Sequence, residues 1–257
     1  MSKSSVVTKL KQETGEVFDF NEEKKKLKGE KIKLKKDGTP KNIPCNSIKG
    51  DPHEVYSIKD KEMVKAIGNY FKKKEEEAER PEWKQIAARN YLMWIVGINV
   101  GLRASDLRNL TWKDVFNDDN TFQDGIRKQE KKTDKFKTFF FNKHAMDAIT
   151  EYVNKYEPNM GKDKHVFKSR EGNAIEVRTI CGIIKEAAQA CGFKKNTGSH
   201  TLRKTFGYHW YMGHQNDLNA LTHLQRLLKH SSPQVTLAYI GIEDEESKKY
   251  YNDLTWD

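Results

Sequence analysis

Apolar positions thicken from Pro81 to Val100, "PEWKQIAARNYLMWIVGINV", until they are nearly continuous, which is the pattern of a helix buried on all sides. Pro81 suits a first turn, where its missing N–H would lack a partner anyway, and Gly101 suits the stop. Ahead of this helix, "IKDKEMVKAIGNYFKK" reads as another, with Ser57 as its expected N-cap. Behind it, "RASDLRNLTW" predicts a short helix with Ser105 and Asp106 near its start, which leaves Arg103 at a helix junction. From Val115 to Asn142 the period shortens. β-prone runs around "NDDN" and "KKTDK" end in "FKTFFF" and predict a small antiparallel sheet. Further on the pattern is helical again, in "KHAMDAITEYVNKY", "AIEVRTICGIIKEAAQAC", "HTLRKTFGYHWYM", "DLNALTHLQRLLKH" and "PQVTLAYI". Ser232 and Pro233 read as cap and first turn of the last of these. No segment repeats. The expected fold class is α+β: mostly helical, with a small antiparallel β-sheet.

Composition adds an appendage to that picture. The 257 residues, 36% hydrophobic and 33% charged, suit one substantial globular domain plus a smaller piece. From Asn21 to Lys41, nine lysines face four acids with few large apolar residues, so this stretch buries little by itself. Residues 1–54 are therefore expected to be a lysine-rich arm and linker, with Lys33, Lys35 and Lys36 as candidate DNA contacts and Asp37-Gly38 as a hairpin turn. A solvated tail is the plainer alternative. Residues 55–257 then form the main domain, of which 242–257 make a tail that is acidic first and basic and aromatic later.

A net charge of +10 favours a polyanionic partner, nucleic acid first. The chain shows no apolar run of about 18 residues that would span a bilayer, and "MSKSSVVTKLKQ" lacks the apolar stretch of a signal peptide. The expectation is an intracellular protein. Cys45, Cys181 and Cys191 are odd in number and lack ligand spacing, so neither a disulfide framework nor a zinc site is expected.

The candidate chemistry lies in three strings. In "SHTLRKTFGYHW", His200 and Arg203 are three apart, so on a helix they serve one spot and both can donate to one anion, with Lys204 alongside. "VGLRASDLRNLTWKDV" holds Arg103 just after the buried helix. "LLKHSSPQVTLAYIG" holds His230 and, nine residues later, Tyr239. Each has a duller reading: a surface pair, a helix-end ion pair, a core aromatic. Their order and spacing together, over roughly Ile58 to Tyr251, resemble the tyrosine recombinases of the phage integrase family. That family carries an arginine in Gly-Leu-Arg, a lysine on a β-hairpin, His-x-x-Arg, a Leu-Gly-His-Ser-like segment, and a tyrosine about nine residues after that histidine. Lys132 matches the hairpin lysine best, with Lys131 and Lys135 as rivals and as candidate DNA contacts, as is Lys204. Two departures stand out. Lys229 occupies the position where the family usually has glycine, and the arm is too short and too lysine-rich to be the helical core-binding domain that normally precedes the catalytic region.

The resemblance implies a recombinase-like catalytic domain in which Tyr239 attacks a DNA phosphodiester and forms a 3′-phosphotyrosine link. It implies Arg103 and Arg203 on the nonbridging oxygens, His200 as base, His230 as a further donor and Lys132 as general acid, with no cofactor or metal. It also implies double-stranded DNA as partner, a homotetramer on DNA joined through the tail, and a cytoplasmic, nucleoid-associated location. A type IB topoisomerase and a DNA-binding regulator that keeps the fold remain open alternatives.

Overall fold

A computed structural model of the chain describes residues 54–129, 136–242 and 251–252. The arm with Lys33, Lys35, Lys36 and the Asp37-Gly38 turn lies outside the described residues, as do Lys131, Lys132 and Lys135.

Helix α1, Lys61–Glu77, starts three residues later than Ser57 would have it. Asp60 is the cap, its carboxylate accepting from Glu62 N at 2.9 Å. Ser57 is instead buried, and its hydroxyl donates to Ile240 O, 183 positions away. Helix α2, Pro81–Val100, has proline in its first turn and is the centre of the molecule. Trp94 and Met93 are fully enclosed, and burying each such side chain contributes about 1.5–3 kcal/mol. Helix α1 packs on α2, as do two later helices, α4 (Lys143–Tyr156) and α6 (Thr201–Met212).

After α2 come the short α3, Ala104–Arg108, a single 3-10 turn, Trp112–Asp114, and a two-stranded ribbon. Strand β1, Ile126–Gln129, runs antiparallel to β2, Phe136–Phe139, with Ile126 opposite Phe139 and Gln129 opposite Phe136. The strand stops short of the full "FKTFFF" run. Phe139 reaches the core, while Phe140 is 65% exposed and adds no further rung. The remaining helices are α5, Val177–Ala190, α7, Ala220–Leu228, and α8, Pro233–Ile240.

The apolar interior has a large part around α2 and a smaller one formed by Leu224, Leu228, Ile240 and Ile242, with Phe206 and Tyr239 packed against it. In the smaller part α6 and α8 approach closely at Gly207. A Cβ there would stand 2.9 Å from Ile240 Cγ2, so any larger residue would push α8 away. Helix α7 ends at Leu228 because Lys229 turns into the left-handed region, φ 56°. Ser232 then caps α8, accepting from Val235 N at 3.2 Å, as the Ser-Pro pair predicts. Within the tail, Tyr251 and Asn252 are helical and exposed.

Candidate active site

The Gly-Leu-Arg string becomes a turn with three separate duties. Gly101 ends α2 at φ 74°, where a Cβ would overlap the Phe206 ring. Leu102 plugs into the core. Arg103 occupies the N-cap position of α3 with extended backbone, and its side chain faces solvent. The turn thus fixes the backbone of Arg103 while leaving its guanidinium accessible.

Arg203, on α6, is only 3% exposed. Its guanidinium donates to Gly101 O and, at 3.0 Å, to Leu228 O, and its charge lies near enough to Tyr239 to favour the phenolate. One side chain therefore ties the turn before Arg103 to the end of the helix before His230. This explains how a charge is tolerated there: each buried carbonyl would otherwise lack a donor.

His200 is not inside the helix but stands at its N-cap position, where its side chain makes no capping bond. The Gly198–Thr201 turn closes on itself, with Gly198 N donating to Thr201 Oγ1 at 3.0 Å and Thr201 N to Gly198 O at 3.1 Å. That turn aims the imidazole at α8, where His200 Nδ1 lies 3.1 Å from Tyr239 Oη. The ring of His230 meets Tyr239 from another side, centroids 4.7 Å apart and tilted by 64°. Lys204, whose side chain is mostly covered, places its ammonium 5.2 Å from the centre of the Tyr239 ring and 3.9 Å from Glu54.

His230 is oriented by a residue the sequence reading passed over. Its Nδ1 lies 3.1 Å from Thr236 Oγ1, which also stands 3.2 Å from Ser232 O. The Thr236 hydroxyl thus holds the imidazole in place, and the tautomer decides which of the two groups donates. Thr236 is fully buried and stands three residues before Tyr239 on α8, and that spacing was the available signal.

The ionisation of the cluster follows from burial and its cations. Enclosure raises Tyr239 above the ordinary phenol value, partly offset by Arg203 and Arg103. Enclosure also lowers His200, helped by Arg203, Lys204 and Arg103. Both partners are accordingly neutral near pH 7, with His200 Nδ1 facing the phenol. Burial lowers Arg203 as well, although it stays a cation. Arg103, His200, Lys204, Arg203 and Tyr239 thus share one electrostatic neighbourhood, with His230 against the ring.

Other histidines have ordinary partners: His209 Nε2 lies 2.9 Å from Ile58 O, and His214 Nδ1 lies 2.6 Å from Trp210 O. Among the described residues no three His, Cys, Asp or Glu side chains stand together as metal ligands. No described helix is long and apolar enough to cross a membrane.

Residues 58–246 match the model of the phage integrase family. The chain belongs to that family. Within it, the chain is 33% identical over 200 residues to the probable integrase/recombinase YoeC of Bacillus subtilis (strain 168), covering 77% of this chain and 96% of that protein. It is 29% identical over 167 residues to the tyrosine recombinase XerC of Caldanaerobacter subterraneus subsp. tengcongensis, covering 64% of this chain and 44% of XerC. The fold matches the crystal structure of XerA recombinase with a TM-score of 0.55 at 19% identity, over 80% of this chain and 66% of XerA. This phage integrase family member therefore carries a mostly helical tyrosine recombinase catalytic domain, and it spans under half of XerC and about two thirds of XerA.

Proposed function

We propose that the protein is a site-specific recombinase that cuts and rejoins double-stranded DNA through a 3′-phosphotyrosine at Tyr239. The observation that carries this reading is the convergence on one phenol of an imidazole at 3.1 Å, a buried guanidinium, a second histidine ring and a lysine ammonium. A core tyrosine needs none of these.

In the proposed step, Tyr239 Oη bonds to phosphorus as its proton passes to His200 Nδ1, and the bond from phosphorus to the 5′-oxygen breaks. The leaving 5′-oxygen takes a proton from the hairpin lysine, for which Lys132 is the proposed residue. Reversal with a 5′-hydroxyl from another strand restores the phosphodiester, so the bond energy is kept and no nucleotide is consumed. Charge growing on the nonbridging oxygens is met by Arg103, whose side chain is accessible, and by Arg203. Each such donor contributes about 10²- to 10³-fold to the rate. His230, with Nδ1 held by Thr236, presents Nε2 as its other functional atom. Lys204 steadies negative charge on the phenolate as it forms.

The lysines beyond the site, Lys33, Lys35 and Lys36 on the arm and Lys131 and Lys135 on the hairpin, are proposed to track phosphates. Assembly into a tetramer through the tail is part of the same proposal, supported by Tyr251, which is 77% exposed on a helical segment. A cytoplasmic, nucleoid-associated location accompanies the DNA substrate.

The test is trapping on a nicked duplex whose short 5′-hydroxyl fragment diffuses away after cleavage. The protein is expected to become covalently attached to DNA, and Tyr239→Phe is expected to bind with nearly native affinity but form no adduct, since only a hydroxyl is lost. Relaxation of supercoiled DNA lacking any recombination site would move the assignment to a topoisomerase, and absence of an adduct would favour a DNA-binding regulator.

A further inference from the structure

The residues just before α1 cross the end of the helix that carries Tyr239. Ser57 Oγ donates to Ile240 O at 3.2 Å and Lys59 Nζ donates to Gly241 O at 2.6 Å. The same strap is pinned to α6. Ile58 N donates to Thr205 Oγ1 at 2.9 Å, and His209 Nε2 donates to Ile58 O at 2.9 Å. Ile58 and Thr205 are both fully buried. Upstream, Tyr56 N donates to Asn196 O at 3.0 Å and Asn196 Nδ2 to Glu54 O at 3.1 Å.

What the strap grips is the weak end of a weak helix. Helix α8 has 8 residues, with Tyr239 last but one. A helix of that length does not hold its shape alone. Its final carbonyls have no partners within the helix. Gly241 N returns to Leu237 O and Ala238 O, while Ile240 O and Gly241 O are the carbonyls the strap takes. A cation at a helix C-terminus also meets the negative end of the helix dipole. The fit is close: a Cβ on Gly241 would lie 3.2 Å from Lys59 Nζ.

We propose that Lys59, seconded by Ser57, is a positioning residue for the nucleophile, and that the Ser57–Lys59 strap is the latch that holds the Tyr239 end of α8 against α6. Lys59 touches no reacting atom. It acts by keeping Tyr239 Oη within reach of His200 and Arg203, two groups carried by α6, to which the strap is also fastened. This inference rests on Tyr239 being the nucleophile. The latch itself is a statement about α8 and is measurable apart from chemistry.

Lys59→Met, Lys59→Arg and Ser57→Ala in the full chain separate the two. Without DNA, Lys59→Met is expected to speed hydrogen exchange at the Ile240 to Ile242 amides by about tenfold or more, because the last turn opens locally. With a nicked duplex, single-turnover cleavage is expected to slow by about tenfold, since a small misplacement of the attacking atom is costly, while DNA affinity stays within about twofold. Lys59→Arg, which can still donate to a carbonyl, is expected to restore both. Native exchange at these amides in Lys59→Met overturns the proposal. So does slower cleavage that is matched by an equal loss of DNA affinity, which would make Lys59 a DNA contact. If Lys59→Met does not fold, Ser57→Ala carries the same expectations at smaller size, and native exchange in that variant overturns the latch. If the wild-type protein forms no adduct, the nucleophile assignment fails, and the exchange measurement still decides whether the strap holds α8.

Discussion

Tyr239 Oη and His200 Nδ1 stand 3.1 Å apart across 39 positions of sequence, the one at the end of α8 and the other at the start of α6. Both groups are pushed toward their neutral forms, the phenol upward and the imidazole downward. In the proposed step, a neutral pair would keep the proton on the phenol until the oxygen begins to bond to phosphorus. His200 would then already be in place as the base, and the surrounding cations would stabilise the charge that develops.

His200 should titrate below its ordinary value of 6.5, because enclosure, Arg203, Lys204 and Arg103 all disfavour the imidazolium. The linkage has a definite sign. Stability contributed by the neutral ring is complete above the unfolded value of 6.5 and is lost as pH falls from there through the depressed folded value. An NMR titration of the DNA-free protein is expected to give a midpoint under 6.5, moved upward in Lys204→Met and in Arg103→Ala. A midpoint at or above the ordinary value would contradict this electrostatic account.

Arg203 holds two buried carbonyls, so its loss is structural as well as chemical. Arg203→Ala is expected to destabilise by about 1–3 kcal/mol for each orphaned carbonyl and to lower the melting temperature by several degrees. Arg203→Lys keeps a charge but cannot fork between Gly101 O and Leu228 O, and it is expected to cost more than twofold in cleavage even when folded. Unchanged melting in Arg203→Ala would show that those bonds carry no weight.

Thr236→Val preserves shape while removing the hydroxyl that partners His230 Nδ1. Cleavage is expected to fall about tenfold with DNA binding retained, because the imidazole loses the partner that sets its direction. Thr236→Ser, which keeps the hydroxyl, is expected to cleave nearly as the native protein does. Equal rates in the valine and serine variants would remove Thr236 from the account.

Lys229 sits at φ 56°, where the family's usual glycine carries no Cβ penalty. That penalty of about 1–2 kcal/mol exceeds the roughly 0.5–1 kcal/mol that glycine costs through chain entropy. Lys229→Gly is therefore expected to raise the melting temperature by about 2 °C, and the β-branched Lys229→Val to lower it. A lower melting temperature in the glycine variant would mean that contacts of the lysine side chain outweigh the strain.

The sequence disclosed elements wherever local chemistry punctuates them. Pro81 and Gly101 bracket α2, and Ser232 and Pro233 open α8, so these boundaries were legible in the sequence. The order of Arg103, His200, Arg203, His230 and Tyr239 was legible because spacing survives in one dimension. Long-range partners did not show. Ser57 looked like a cap because serine before a helical run ordinarily is one, yet its partner is Ile240 O. Lys204 read as a cation for DNA, and its place over the Tyr239 ring, set by the turn of α6, was not legible beside that. Thr236 was passed over because a buried threonine in an apolar helix looks like packing until its hydroxyl is seen between His230 and Ser232.

The proposed chemistry requires a covalent bond between Tyr239 Oη and the 3′ side of a cut strand. Digesting the trapped protein–DNA adduct and sequencing the modified peptide by tandem mass spectrometry locates that bond directly. The expected result is a nucleotide joined by its 3′-phosphate to Tyr239, with a 5′-hydroxyl on the released strand. A nucleotide on any other residue, or a 5′-phosphate linkage, would contradict the account.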